Sequence, residues 1–233
     1  MNGFNRLRYL LVAALALTAA AYGQVPAGND TSDPSGNTGM GSVTFDGPAN
    51  SGPGSFNTAC GFRSQSWDSA GNGQTNVGST GCGYQALIFD DANDNTAFGS
   101  GAIGAATADN GLVTGSDNTA VGSSALSTLR AGFLNTATGN AALGGDPAVN
   151  YNAAYNAAIG GGALNNPSAN GNAAVGYLAL TADSSGAANT AAGFNALQAN
   201  LTGGDNTALG YAALFTNTTG SNNIAVGYWP ATT

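Results

Sequence analysis

The sequence predicts an all-β fold, a parallel β-roll or β-solenoid of about ten rungs, and three observations carry that prediction. The first is a nine-residue phrase, N-T-A-x-G-x-x-A-L, seen in full at Asn206 to Leu214. It recurs from Asn95, Asn118, Asn135, Asn156, Asn172 and Asn189, with a last version from Asn223 and degenerate ones from Asn57 and Ser79. The second is its spacing: successive starts lie 22, 16, 23, 17, 21, 16, 17, 17 and 17 residues apart. A period near 17 is too short for helical-hairpin repeats or propeller blades and suits one coil of a solenoid. The third is composition: 37 Gly, 7% charged residues, and no Lys, Glu or His, so the charged residues that cover an ordinary helix surface are nearly missing. Apolar residues at periodic positions argue against disorder and for a buried face.

In chain order, Met1 to Arg8 carries two positive charges, and an apolar run follows from Tyr9 to Ala21. This is the pattern of a secretory signal peptide over 1–23, with small residues offering cleavage after Ala21 or Gly23. The run is too short to span a bilayer, and no later segment is long and apolar enough to form a transmembrane helix. Residues 24–54, rich in Gly, Pro, Asp, Asn and Ser, form a flexible lead-in or cap in which only Val43-Thr44-Phe45 resembles a strand. The β-roll itself is expected over 55–233.

Each position of the phrase has a physical reading. The fourth holds Cys60, Cys82, Phe98, Val121, Thr138, Ile159, Val175, Ala192, Leu209 and Val226, mostly apolar and β-favouring. The ninth holds Leu87, Ile103, Leu126, Leu143, Leu164, Leu180, Leu197 and Leu214. Both positions are expected to point into a narrow core, with Ala at the third and eighth keeping the walls close. Gly at the fifth marks a sharp bend or a close backbone approach that a Cβ would hinder. Asn at the first suits a corner, since it bonds nearby backbone and tolerates left-handed angles, and stacked Asn side chains could form a hydrogen-bonded ladder. No rung buries its own apolar face, so stability must come from stacking. Ten rungs at about 4.8 Å give a rod on the order of 48 Å long.

The connections Thr181 to Ala188, Gln198 to Asp205 and Phe215 to Asn222 return the chain to the next rung. Longer ones, Phe62 to Gly78, Gly104 to Asp117 and Gly144 to Tyr155, should project from one side. If the rod recognises a ligand locally, Arg63, Trp67, Tyr151 and Tyr155 on these loops are the candidates, because Arg and aromatics are common anchors. The plainer alternative is solvated insertions at a solenoid's periphery.

Catalytic chemistry has little to build on. Without His, Lys or Glu there is no Ser-His-Asp or Cys-His arrangement and no His-based metal site, so the chain reads as a non-enzyme without cofactor or metal. Asp90, Asp91 and Asp94 form the densest acidic group; they match no calcium-loop spacing and read as a solvated turn. The formal charge of −8 becomes −10 once Arg6 and Arg8 leave with the leader, which excludes nucleic acid as a partner. Cys60 and Cys82 share one repeat position on consecutive phrases and could be bonded after export; two small free thiols in the core are the alternative.

The phrases Asn118-Thr119-Ala120-Val121-Gly122, Asn156-Ala157-Ala158-Ile159-Gly160 and Asn172-Ala173-Ala174-Val175-Gly176, each followed by x-x-A-L, resemble the head repeats of YadA-type trimeric autotransporter adhesins. Related N-T-A-x-G phrases occur in bacterial surface and tail-fibre proteins. The resemblance covers about Asn57 to Tyr228 and implies a left-handed roll, a homotrimer of side-by-side chains, and a head that binds extracellular matrix or cell-surface ligands. The period here is longer than the family's, and no heptads or alternating membrane strands occur, so a secreted head, a truncated reading frame and a unit whose open end receives another chain all stay open. The expected function is a non-enzymatic exported surface protein, an adhesin-like head or spacer at the bacterial cell surface or in the extracellular medium. A structural fibre or filament component is the alternative, and an ice-binding solenoid using Thr96, Thr119, Thr136, Thr190 and Thr207 is a weaker one.

Overall fold

A computed structural model describes residues 38–40, 56–64, 77–88, 92–104, 115–128, 131–145, 152–165 and 169–229. Each described copy of the phrase gives a three-residue strand: β1 (Thr38–Met40), β2 (Thr58–Cys60), β3 (Thr80–Cys82), β4 (Thr96–Phe98), β5 (Thr119–Val121), β6 (Thr136–Thr138), β7 (Ala157–Ile159), β8 (Ala173–Val175), β9 (Thr190–Ala192), β10 (Thr207–Leu209) and β11 (Ile224–Val226). They form one sheet in strict sequence order, every neighbour parallel. Ala208 lies between Ala191 and Ala225, as each residue lies between its counterparts one rung away. This is a parallel β-solenoid, and the described residues contain no helix.

β1 revises the expected boundary. It lies inside the presumed lead-in and pairs with β2 through Thr38–Thr58, Gly39–Ala59 and Met40–Cys60. Its sequence context, Asn37-Thr38-Gly39-Met40-Gly41, is the same phrase with Gly at the third position, as in Ser79-Thr80-Gly81-Cys82-Gly83. The described strands therefore number eleven. Val43 to Phe45, the signal segment 1–23 and the middles of the long connections lie outside the described residues.

A rung is short because its backbone turns left-handed repeatedly. In the tenth rung, φ is +57° at Asp205 just before the phrase, +129° at Gly210, and +51° at both Ala212 and Leu214. A non-glycine residue at such angles costs about 1–2 kcal/mol, and burying a leucine returns about 1.5–3 kcal/mol. The ninth position is therefore strained yet filled by a large aliphatic side chain, leucine in all the described rungs from β3 to β10 but that of Ile103. The Asn at the first position is not itself left-handed, contrary to the expectation for a corner; the residue before it takes that angle.

The core sits between two walls. One is the column of third-position alanines, Ala97 through Ala208; the other is made of the eighth-position alanines and ninth-position leucines. Leu126, Leu143, Leu164, Leu180, Leu197 and Leu214 are buried as expected. The fourth position is not. Phe98, Val121, Ile159, Val175, Leu209 and Val226 point outward, with Val175 45% and Leu209 38% exposed. Alternation along a strand puts the second and fourth side chains on one face and the third on the other. The ninth-position leucines fill the narrow interior, which leaves room opposite them only for a methyl, so the small residue goes in and the large one goes out.

Candidate functional site

The outward fourth position sits in register from Met40 to Val226 and makes one column along the rod. Just beyond the glycine corner, the sixth position makes a second column that turns aromatic at both ends. Phe62 stacks on Tyr84 with ring centroids 5.8 Å apart. Toward the other end, Tyr177, Phe194, Tyr211 and Tyr228 stack at 5.5, 5.3 and 5.0 Å, with interplanar angles of 23°, 3° and 11°. Trp229 leans on Phe215 at 5.6 Å and on Tyr211 at 6.2 Å. Between these aromatic runs the sixth position is small or polar: Ser100, Ser123, Asn140 and Gly161. Neither column contains a charged residue, and most of the large apolar side chains exposed on the described surface belong to them. Large exposed apolar patches are commoner at association sites than elsewhere on protein surfaces.

The glycine column between them is fixed by backbone contact. A Cβ on Gly193 would stand 2.1 Å from the Gly210 carbonyl oxygen, and one on Gly139 would stand 2.6 Å from that of Gly160. The chain passes this corner only without a side chain.

Inside, polar groups are consumed by ladders. The backbone N–H of each first-position Asn donates to the Oδ1 of the Asn one rung earlier: Asn135 to Asn118 at 3.0 Å, Asn172 to Asn156 at 2.8 Å, Asn206 to Asn189 at 3.0 Å. Their Nδ2 groups cross to the return arm, Asn172 to the Gly186 carbonyl and Asn189 to that of Gly203, both at 2.8 Å. Ser79 keeps the line continuous by accepting from the Asn95 N–H on its Oγ at 3.2 Å. A second ladder runs up the return arm, where Asn217 donates to Asn200 at 3.2 Å and Asn200 to Asp183 at 3.3 Å. Its sequence signal is [DN]-x-x-G, at Asp183–Gly186, Asn200–Gly203 and Asn217–Gly220. Asp183 accepts from the Gly186 N–H at 2.8 Å and from Asn172 Nδ2 at 3.2 Å, and burial raises its carboxyl to about 7.

Of the suggested loop anchors, the two that lie among the described residues do not converge. Arg63 sits on the turn after β2 and Tyr155 just before β7, five strands further on, on the order of 24 Å along the rod. Trp67 and Tyr151 lie outside the described residues, as do Asp90 and Asp91, while Asp94 is exposed. Among the described residues no group of His, Cys, Asp or Glu could hold a metal ion. Tyr155 meets Phe133 edge-to-face at 5.1 Å, a local apolar patch on a different corner from the stripe. Cys60 and Cys82 are joined as a disulfide with their Cα atoms 4.4 Å apart, on the outward column and not in the core. The threonines Thr96, Thr119, Thr136, Thr190 and Thr207 share one register, yet Ala157 and Ala173 interrupt them, and the neighbouring column ranges from Ala192 to Phe98, so the face is stepped and not flat.

Comparison with family models, with characterised proteins and with solved structures gives no match. The functional reading therefore rests on the stripe, the ladders and the sequence.

Proposed function

We propose that this chain is a non-enzymatic, exported surface protein, a rod whose copies lie side by side along the uncharged stripe and which serves as an adhesin-like head or spacer. The single observation that supports the reading is the stripe: a mostly apolar outward column runs the length of a rod beside a second that is aromatic at both ends, and neither carries charge. A solvated spacer that worked alone would gain nothing from holding Ile159, Val175 and Tyr177 in water; a partner that covers them recovers about 25 cal/mol per Å² of apolar surface. The leader-like first 23 residues support export, and the acidic, lysine-free composition suits an exposed life at a bacterial surface or in the extracellular medium. Three copies is the number that the resemblance to trimeric adhesin heads suggests. The partner ligand, on the same resemblance, is an extracellular matrix or cell-surface component.

Sedimentation equilibrium on chain lacking residues 1–23 tests the association. A mass near three chains with a β-type circular dichroism spectrum supports it; a single chain at tens of micromolar overturns it. Fractionation of cells expressing the full chain tests export, and retention of processed protein on matrix-coated surfaces tests adhesion.

A further inference from the structure

The outward fourth-position column carries a second regularity. From β4 onward its side chains fall in size and then start again. Phe98, Val121 and Thr138 descend from large to small, Ile159, Val175 and Ala192 repeat the descent, and Leu209 and Val226 begin it once more. The buried third position beside it shows no such variation, since β4 to β11 all carry alanine there. The three-rung period therefore belongs to the exposed face and not to the interior.

This regularity constrains how copies can meet. Three rods in equal register would bring three large side chains together at one level and three small ones two levels on. Crowding of that kind is unfavourable, and the hollow level forfeits contacts in proportion to its empty volume. Displacing each rod by one rung from its neighbour removes both faults, because every level then holds one large residue, one valine and one small residue. The contact that closes the ring from third rod to first is displaced by two rungs in the opposite sense. With a period of three, that displacement places the same sizes opposite one another as a one-rung step.

We propose that the chain associates as three parallel rods, each shifted by one rung, about 4.8 Å, from the next. This rests on the side-by-side association proposed above and names its register. The partner is a second and third copy of this chain, since the stripe is uncharged over its whole described length and repeats at the rung spacing. Its exposed side chains from Val121 to Tyr228 offer on the order of 800 Å² per copy to be shared between two neighbours, so each pairwise contact is about half the standard size but the assembly buries three such shares.

Mixed refolding of two tagged mature chains, one carrying Val175→Cys and the other Ile159→Cys, tests the register under mild oxidation. Both substitutions are on the outward face, and the only cysteines of the natural chain are bonded to each other. The shifted arrangement places position 175 of one copy level with position 159 of its neighbour, so unlike disulfides should exceed like ones about tenfold in the three-chain species. Predominant like pairs in a three-chain species would overturn the shift and leave the association standing. A two-chain mass would also overturn it, and a monomer would remove the association and the shift together. A composition-neutral double variant, Ile159→Ala with Ala192→Ile, reverses one descent; it should keep the β-type spectrum and weaken association at least tenfold, and unchanged affinity would overturn the proposal.

Discussion

Gly193 shows how much one position can dictate. Its φ of +146° and the Gly210 carbonyl only 2.1 Å from a would-be Cβ oppose any side chain. Gly193→Ala should therefore lose upwards of about 3 kcal/mol by denaturant titration. Gly171→Ala, at φ +74° with open space around it, should lose only about 1 kcal/mol. Asp183 makes the other residue-scale prediction. Its carboxyl titrates near 3.8 when unfolded and near 7 when folded. Between those values the native state holds a proton that the unfolded chain has released. The stability present below the lower value is therefore lost as pH rises toward 7, by up to about 1.4 kcal/mol per pH unit. Asp183→Asn, the residue found at Asn200 and Asn217 of the same ladder, should flatten that slope and stabilise the chain above neutrality, as melts at about pH 4 and about pH 8 would read. At this scale the fifth-position glycine was legible in the sequence, because absence of Cβ has one main use. The direction of Val175 was not, because a β-favouring apolar residue suits an inner or an outer face equally and only the filled interior decides.

At the level of the element, a rung is held by what it gives to its neighbours. Asn189 accepts from the Asn206 N–H and donates to the Gly203 carbonyl. Asn189→Ala leaves the Asn206 N–H buried without a partner, while the Gly203 carbonyl keeps Asn200 Nδ2, and should lose about 2–3 kcal/mol. Amide exchange at Asn206 should quicken well beyond that at Asn135, which lies three ladder steps from Asn189. Leu197→Ala should lose a similar amount by opening a cavity between its stacked neighbours Leu180 and Leu214. The disulfide closes a separation of 22 residues across β2 and β3. Reduction should lower stability by about 3 kcal/mol in the first three strands, with β4 to β11 keeping their exchange protection. The strands from β2 on were readable from the phrase alone. β1 carries the same phrase, but its Gly39 weakened the signal amid glycine-rich sequence, and its pairing with β2 settles it. The [DN]-x-x-G ladder of the return arm is equally short in sequence and gains meaning only once Asp183, Asn200 and Asn217 stand one above another.

For the whole molecule, periodicity was enough to give the class of fold, since a 17-residue repeat that cannot bury its own leucines must stack. Which surface the proposed association would use was not readable, because it depended on the side of the sheet taken by the fourth position. Association through that surface should be insensitive to salt, or strengthened by sulfate, since apolar contact and not charge would drive it. Ile159→Asp should reduce it at least a hundredfold while leaving the monomer's spectrum intact, because the new carboxylate would be buried only on association. A drop in association with rising sodium chloride would point to a different face.

The bonds that leave a rung go to the rungs immediately before and after. The segment from Asn189 to Asp205, with donors and acceptors matched to Asn172 on one side and Asn206 on the other, is therefore a module that its own copy can follow. Tandem duplication of its coding segment would lengthen the particle by one step without disturbing either junction. If neighbouring copies keep the register inferred above, tolerated gains and losses should come in threes, so that natural length variants would differ by multiples of three units.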